Sequence, residues 1–97
     1  MDGRELVAWN LRRLRVAEGL SQEKLAADAE IDRAYVGRLE RATENPTVAV
    51  LERLAEALSA RIGDFFIEPR PGAKRPRPLP SGRRPAAAKR ASPKPRG

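Results

Sequence analysis

Arg33 and Arg38 flank Val36, which with Leu39 marks an inward apolar stripe. Arg33, Arg38 and the neighbouring Ala34 lie off that stripe, so they face outward. A guanidinium is always charged and presents a rigid planar fork of donors, which fits the O6 and N7 acceptors of guanine. Two such forks on one short helix are a means of reading guanines. Other chemistry is poorly served. The 97 residues contain no cysteine and no histidine. A disulfide framework, a thiolate metal site, a zinc finger and a Ser-His-Asp triad are therefore excluded. Only carboxylates remain as side-chain metal ligands. No nucleophile–base pair, metal cluster or phosphate-cradling loop is present. Neither an enzyme nor a bound cofactor or metal is expected.

The charge is divided unevenly. The chain carries 20 Lys and Arg against 13 Asp and Glu, a net +7. Residues 1–68 hold 10 basic and 13 acidic side chains, a net −3, whereas residues 69–97 hold 10 basic and none acidic. That last part also contains eight of the nine prolines, with Leu79 as its one large aliphatic side chain. So little apolar surface cannot offset the entropy of ordering. The reading is a domain at 1–68 and a disordered, basic, Pro/Arg/Lys-rich tail at 69–97.

Helical periodicity organises the first part, and no run alternates with period two. A first helix over roughly 3–18 places Val7, Leu11 and Leu14 on one stripe and stops at Gly19. Ser21 caps a second helix to about Asp28, with Leu25, Ala26 and Ala29 inward. After the turn Ala29–Asp32, Asp32 caps a third helix over about 33–42. The linker Thr43-Glu44-Asn45-Pro46 breaks the helix, because the residue before a proline avoids the α region. Thr47 caps a fourth helix with Leu51, Leu54, Ala55 and Leu58 inward, and a last short helix near 61–67 offers Ile62, Phe65 and Phe66. The fold class is all-α. Two short helices with a four-residue turn between their apolar faces suggest a helix-turn-helix.

Four linked motifs carry a resemblance. Gly19-Leu20-Ser21-Gln22-Glu23-Lys24-Leu25-Ala26, Tyr35-Val36-Gly37-Arg38-Leu39-Glu40-Arg41, Asn45-Pro46-Thr47 and Leu54-Ala55-Glu56-Ala57-Leu58 occur in the order found in the Xre/Cro family of bacterial and phage transcription regulators. The chain resembles that family over about residues 5–67. The resemblance implies a five-helix, lambda-repressor-like domain whose third helix enters the major groove of double-stranded DNA. By matching position, Gln22 would hold a phosphate. Arg33, Ala34 and Arg38 would face base edges, with Asp32 and Tyr35 beside them. The domain is net acidic, so Arg12, Arg13, Arg33, Arg38 and Arg41 would have to cluster on one face. Outward arginines on an arbitrary helix are ordinarily a solvated face; the surrounding motif is what favours DNA contact. Arg15 and Glu40 match a pair that the family uses as an internal salt bridge between its first and third helices.

The sequence also departs from the family. Glu30 stands where the turn usually has a glycine with positive φ, at a strain of about 1 kcal/mol. Ala42 and Ser59 replace two further glycines, after the third and fourth helices. Trp9 lies off the stripe of the first helix and is expected to pack on the last one. Phe65 and Phe66 are adjacent, so one core cannot take both, and one is available to a homodimer interface.

The expected function is a sequence-specific DNA-binding transcriptional regulator, a repressor or autoregulator, acting as a homodimer. Restriction-modification controllers, phage repressors and antitoxins all fit a chain of this kind. Two alternatives belong to other classes. One is a nucleoid-type binder that uses the tail without reading sequence. The other is an antitoxin-like module whose tail wraps an acidic protein. The first residues are charged where a signal peptide needs an apolar stretch, and no apolar run approaches the roughly 20 residues of a membrane span. A cytoplasmic, nucleoid-associated location without membrane contact is the expectation.

Overall fold

A computed structural model describes residues 1–73. It contains four α-helices and one 3-10 helix, with no strand among these residues: α1 (Gly3–Ala17), α2 (Gln22–Ala29), α3 (Arg33–Glu40), α4 (Val48–Ala57) and the 3-10 helix Ile62–Phe66. The expected fifth α-helix is thus a single tight 3-10 stretch. Five residues are too few to sustain an α-helix against its nucleation cost. The expected tail lies outside the described residues beyond Ala73.

Side-chain caps start three of the helices. Asp2 Oδ1 accepts from the Glu5 amide at 2.9 Å, and the Asp2 amide donates to Glu5 Oε1 at 2.9 Å. This reciprocal capping box was legible as Asp-x-x-Glu but was not anticipated. Ser21 Oγ accepts from Lys24 N at 3.0 Å, and Thr47 Oγ1 from Val50 N at 3.1 Å. Asp32 occupies the cap position of α3 but makes no capping hydrogen bond with its side chain.

All four α-helices stop in the same way. An amide reaches back to the carbonyl five residues earlier: Leu20 to Arg15, Ile31 to Ala26, Thr43 to Arg38 and Ala60 to Ala55, at 2.8–3.1 Å. The residue before each of these donors has positive φ, which is the geometry of a Schellman motif. At α1 it is Gly19, with φ 74°. At the other three it is Glu30 (59°), Ala42 (62°) and Ser59 (56°). The three residues that replace glycine thus adopt the positive φ that glycine takes freely, at the expense of strain. The bend at Ala42 also explains why α3 ends at Glu40, two residues short of the expected length.

The core gathers the inward stripes. Leu11 of α1, Leu25 of α2, Val36 and Leu39 of α3, Leu54 of α4, Leu58 and Phe65 are all buried. Each such side chain contributes about 1.5–3 kcal/mol relative to exposure. Phe65 is fully buried, whereas Phe66 stays 46% exposed, so the adjacent rings divide as expected. α3 lies against both α1 and α2, and the 3-10 helix lies mainly on α1. Trp9 is half-buried, and its neighbours in a shallow recess are Asn10, Arg13, Ile67, Pro69, Arg70 and Ala73. It borders the segment just after the 3-10 helix. Pro69, Arg70 and Ala73, expected to belong to the tail, line that recess.

Candidate nucleic-acid interface

The site is built from the first turns of α2 and α3 and from what holds them. α3 has one buried face, formed by Val36, Gly37, Leu39 and Glu40. Asp32, Arg33 and Ala34 are exposed at its start and Arg41 at its end. Arg33 and Arg41 have no ion-pair partner among the described residues. Their guanidinium groups are therefore available to a phosphate or a base edge. Ala34 between them is small enough to allow close approach.

Arg38 is placed differently. Its Nε donates to Glu44 Oε2 at 2.9 Å, and its guanidinium carbon stands 5.6 Å from the centroid of the Tyr35 ring. Tyr35 is half-buried and packs against the core. Burial, and secondly the Glu44 carboxylate, raise the Tyr35 phenol above its ordinary pKa, with Arg38 acting in the opposite direction. The phenol can both donate and accept a hydrogen bond.

Beneath this face lies a buried ion cluster. Arg15 Nε donates to Glu40 Oε2 at 2.6 Å and Arg15 Nη2 to Glu40 Oε1 at 3.0 Å. Arg15 and Glu40 are only 3% and 4% exposed. Arg15 Nη1 donates to the Leu20 carbonyl at 2.8 Å, so the same side chain also ties the end of α1. Arg12 Nε reaches Glu40 Oε1 at 3.4 Å. Gln22 Nε2 donates to that oxygen at 3.0 Å. The helices α1, α2 and α3 are thus joined through one carboxylate. A buried pair contributes little net stability, but its geometry fixes how α3 sits.

Several expected placements change. Gln22 is half-buried, with an amide N–H committed to Glu40. Its amide group has a second N–H, which remains for a phosphate. Arg12 turns toward Glu40 and Arg13 does not join the other arginines. Arg13 donates to Asn10 Oδ1 at 3.0 and 2.8 Å and to the Asp64 carbonyl at 3.1 Å, on the side of the 3-10 helix. Successive helical residues point about 100° apart, so Arg12 and Arg13 cannot share a face. Of the five arginines expected to cluster, Arg33, Arg38 and Arg41 lie on or beside α3.

Two residues were not anticipated. Asn10 is fully buried and its Nδ2 donates to the carbonyls of Leu6, Phe65 and Ile67 at 2.9–3.0 Å. It pins the 3-10 helix to α1. A lone Asn three residues after Val7 and four before Leu14 was a readable signal of a buried polar anchor. Glu44 left no such signal, because its partner lies across a turn.

This geometry can be compared with known proteins. The sequence pattern of the family described as "Helix-turn-helix" matches residues 11–65. The chain belongs to the helix-turn-helix family. Within it, the match is to the Xre/Cro type, whose members are DNA-binding transcriptional regulators and not enzymes. An uncharacterized HTH-type transcriptional regulator, y4dJ of Sinorhizobium fredii, is 47% identical over 58 residues, covering 60% of this chain and 75% of that one. The crystal structure of the hypothetical transcription factor NHTF from Neisseria superposes with a TM-score of 0.68 at 37% identity, covering 70% of this chain and 78% of that one. The restriction-modification controller protein C.AhdI from Aeromonas hydrophila gives a TM-score of 0.63 at 40% identity, covering 65% of this chain and 96% of that one. The matched residues include α2, the turn and α3, and the Arg15–Glu40 pair lies beneath α3. No helix among the described residues is long and apolar enough to cross a membrane.

Proposed function

We propose that this chain is a transcriptional regulator, a repressor or autoregulator, that reads duplex DNA with α3. The observation that carries the reading is the outer face of α3: exposed Arg33 and Ala34 on a helix held by the buried Arg15–Glu40 pair. Arg33 and Arg38 take base edges, guanines by preference. Gln22, at the first turn of α2, and Arg41 take phosphates, and Asp32 and Tyr35 border the contact.

An eight-residue recognition helix reaches too few bases to be selective alone. The active species is therefore a homodimer on a two-fold symmetric site, with half-site centres about one helical turn apart. Exposed Phe66 and Ile67 supply apolar surface for the pairing. The ten cations beyond residue 68 follow phosphates without reading sequence.

The test is selection of bound sites from random duplex DNA, followed by footprinting and sedimentation on the selected duplex. A palindrome protected by a dimer is the expected result. A strict monomer protecting a single half-site removes the dimer. Absence of any preferred sequence removes the regulator reading and leaves sequence-independent binding.

A further inference from the structure

Glu44 lies in the loop between α3 and α4, outside both helices. Its carboxylate accepts the one hydrogen of Arg38 Nε at 2.9 Å. The same guanidinium stands over the Tyr35 ring at 5.6 Å, and Tyr35 is anchored against the core. Arg38 is therefore held at its face by a ring and at its inner edge by a carboxylate. The four N–H groups of Nη1 and Nη2 remain. They form the end of the fork that pairs with O6 and N7 of guanine.

The pair is not a stability device. Its side chains are 42% and 28% exposed, and ion pairs at such sites contribute little to folding. Nor does the Glu44 charge help binding directly, because a carboxylate near a phosphate backbone is repelled. What the contact does supply is order. A free arginine must lose its rotamer freedom on binding, and one already held in place loses less. A preset fork also tolerates the wrong base less well than a mobile one.

Resting on the assignment of α3 as the DNA-reading helix, we propose that Glu44 is a positioning residue that sets base discrimination by Arg38. It holds the guanidinium on Tyr35 and leaves the Nη end for one guanine. The side chain of Glu44 touches no base itself.

The test uses the full chain and its selected duplex. Arg38→Ala first identifies the base pair at which choice relaxes. The wild type, Glu44→Gln and Glu44→Asp are then measured on the preferred duplex, on its variant at that base pair, and on variants elsewhere. Glutamine keeps the length but loses the charge; aspartate keeps the charge but is one methylene short. Each substitution should lower discrimination at the Arg38 base pair about 2- to 10-fold and leave the other positions alone. Glu44→Gln should add nothing to Arg38→Ala, and its binding to random DNA should hold or rise. The melting temperature should not move. Unchanged discrimination in both variants overturns the proposal. So does an equal gain on matched and mismatched duplexes, which makes Glu44 a competing anion, and so does a uniform loss with a lowered melting temperature. A wild type with no preferred duplex overturns the DNA-reading assignment as well, and it does so before any Glu44 variant is made.

Discussion

Arg15 and Glu40 form a two-point contact between α1 and α3, with Nε to Oε2 at 2.6 Å and Nη2 to Oε1 at 3.0 Å. Both side chains are almost completely buried. Removing one partner strands the other charge in the interior. Glu40→Ala should therefore cost about 3–5 kcal/mol. Replacing both together, as Arg15→Met with Glu40→Leu, should recover much of that loss, because the fully buried Arg15 charge goes with its partner and Arg12 is partly exposed. Denaturant titration of the single and double variants checks this. A single variant as stable as wild type would mean that the pair is solvated in solution.

Arg33 and Arg41 should separate base reading from phosphate binding. Arg33→Ala should cost about 1–3 kcal/mol on the preferred duplex and relax choice at one base pair. Arg41→Ala should weaken preferred and random duplexes alike and lower the salt slope by about one unit. Affinities on both duplexes at several salt concentrations distinguish the two. Equal losses on preferred and random DNA for Arg33→Ala would reassign it to phosphate.

The backbone at Glu30 has φ 59° and ψ 46°, a left-handed conformation that glycine adopts without a Cβ clash. Glu30→Gly should raise stability by about 0.5–1 kcal/mol, since relief of strain exceeds the added entropy of the unfolded chain. In a domain of this size that corresponds to a rise of roughly 2–8 °C in Tm. Thermal melts check it. An unchanged or lowered Tm would show that local contacts already compensate the strain.

Truncation should locate the basic arm. A chain ending at Ala73 keeps the residues that line the Trp9 recess. It should retain the wild-type Tm and the preferred sequence. If about five of the removed cations touch phosphate, the slope of log K against log salt should fall by roughly 4–5 units. A chain ending at Glu68 also loses Pro69, Arg70 and Ala73 from that recess, and its Tm should drop modestly. Binding curves across salt and thermal melts of both truncations decide the matter. An unaltered slope would remove the arm.

The helices and their ends were legible because they depend on local order. Val7, Leu11 and Leu14 repeat at helical spacing, Ser21 and Thr47 cap, and the linker Thr43-Glu44-Asn45-Pro46 breaks the helix. Glu30, Ala42 and Ser59 were readable as turn residues because the family pattern puts glycine there, and all three have positive φ. The outward direction of Arg33 and Ala34 followed from the stripe of Val36 and Leu39, and both are exposed. Pattern also showed that Phe65 and Phe66 could not both be inside, although not which one would be.

Four polar pairings that the sequence did not foretell were decided by the tertiary structure alone. Arg38 meets Glu44 across six residues, Gln22 meets Glu40 across 18, Arg13 meets the Asp64 carbonyl across 51, and Asn10 meets the Ile67 carbonyl across 57. Helical periodicity says which way a side chain leaves its own axis. It does not say how far that axis is rotated against its neighbours, and a hydrogen bond requires its partners within about 3 Å. That placement is set by how Leu11, Leu25, Leu39, Leu54 and Phe65 interlock in one core, and the charged groups take the partners that this packing brings within reach.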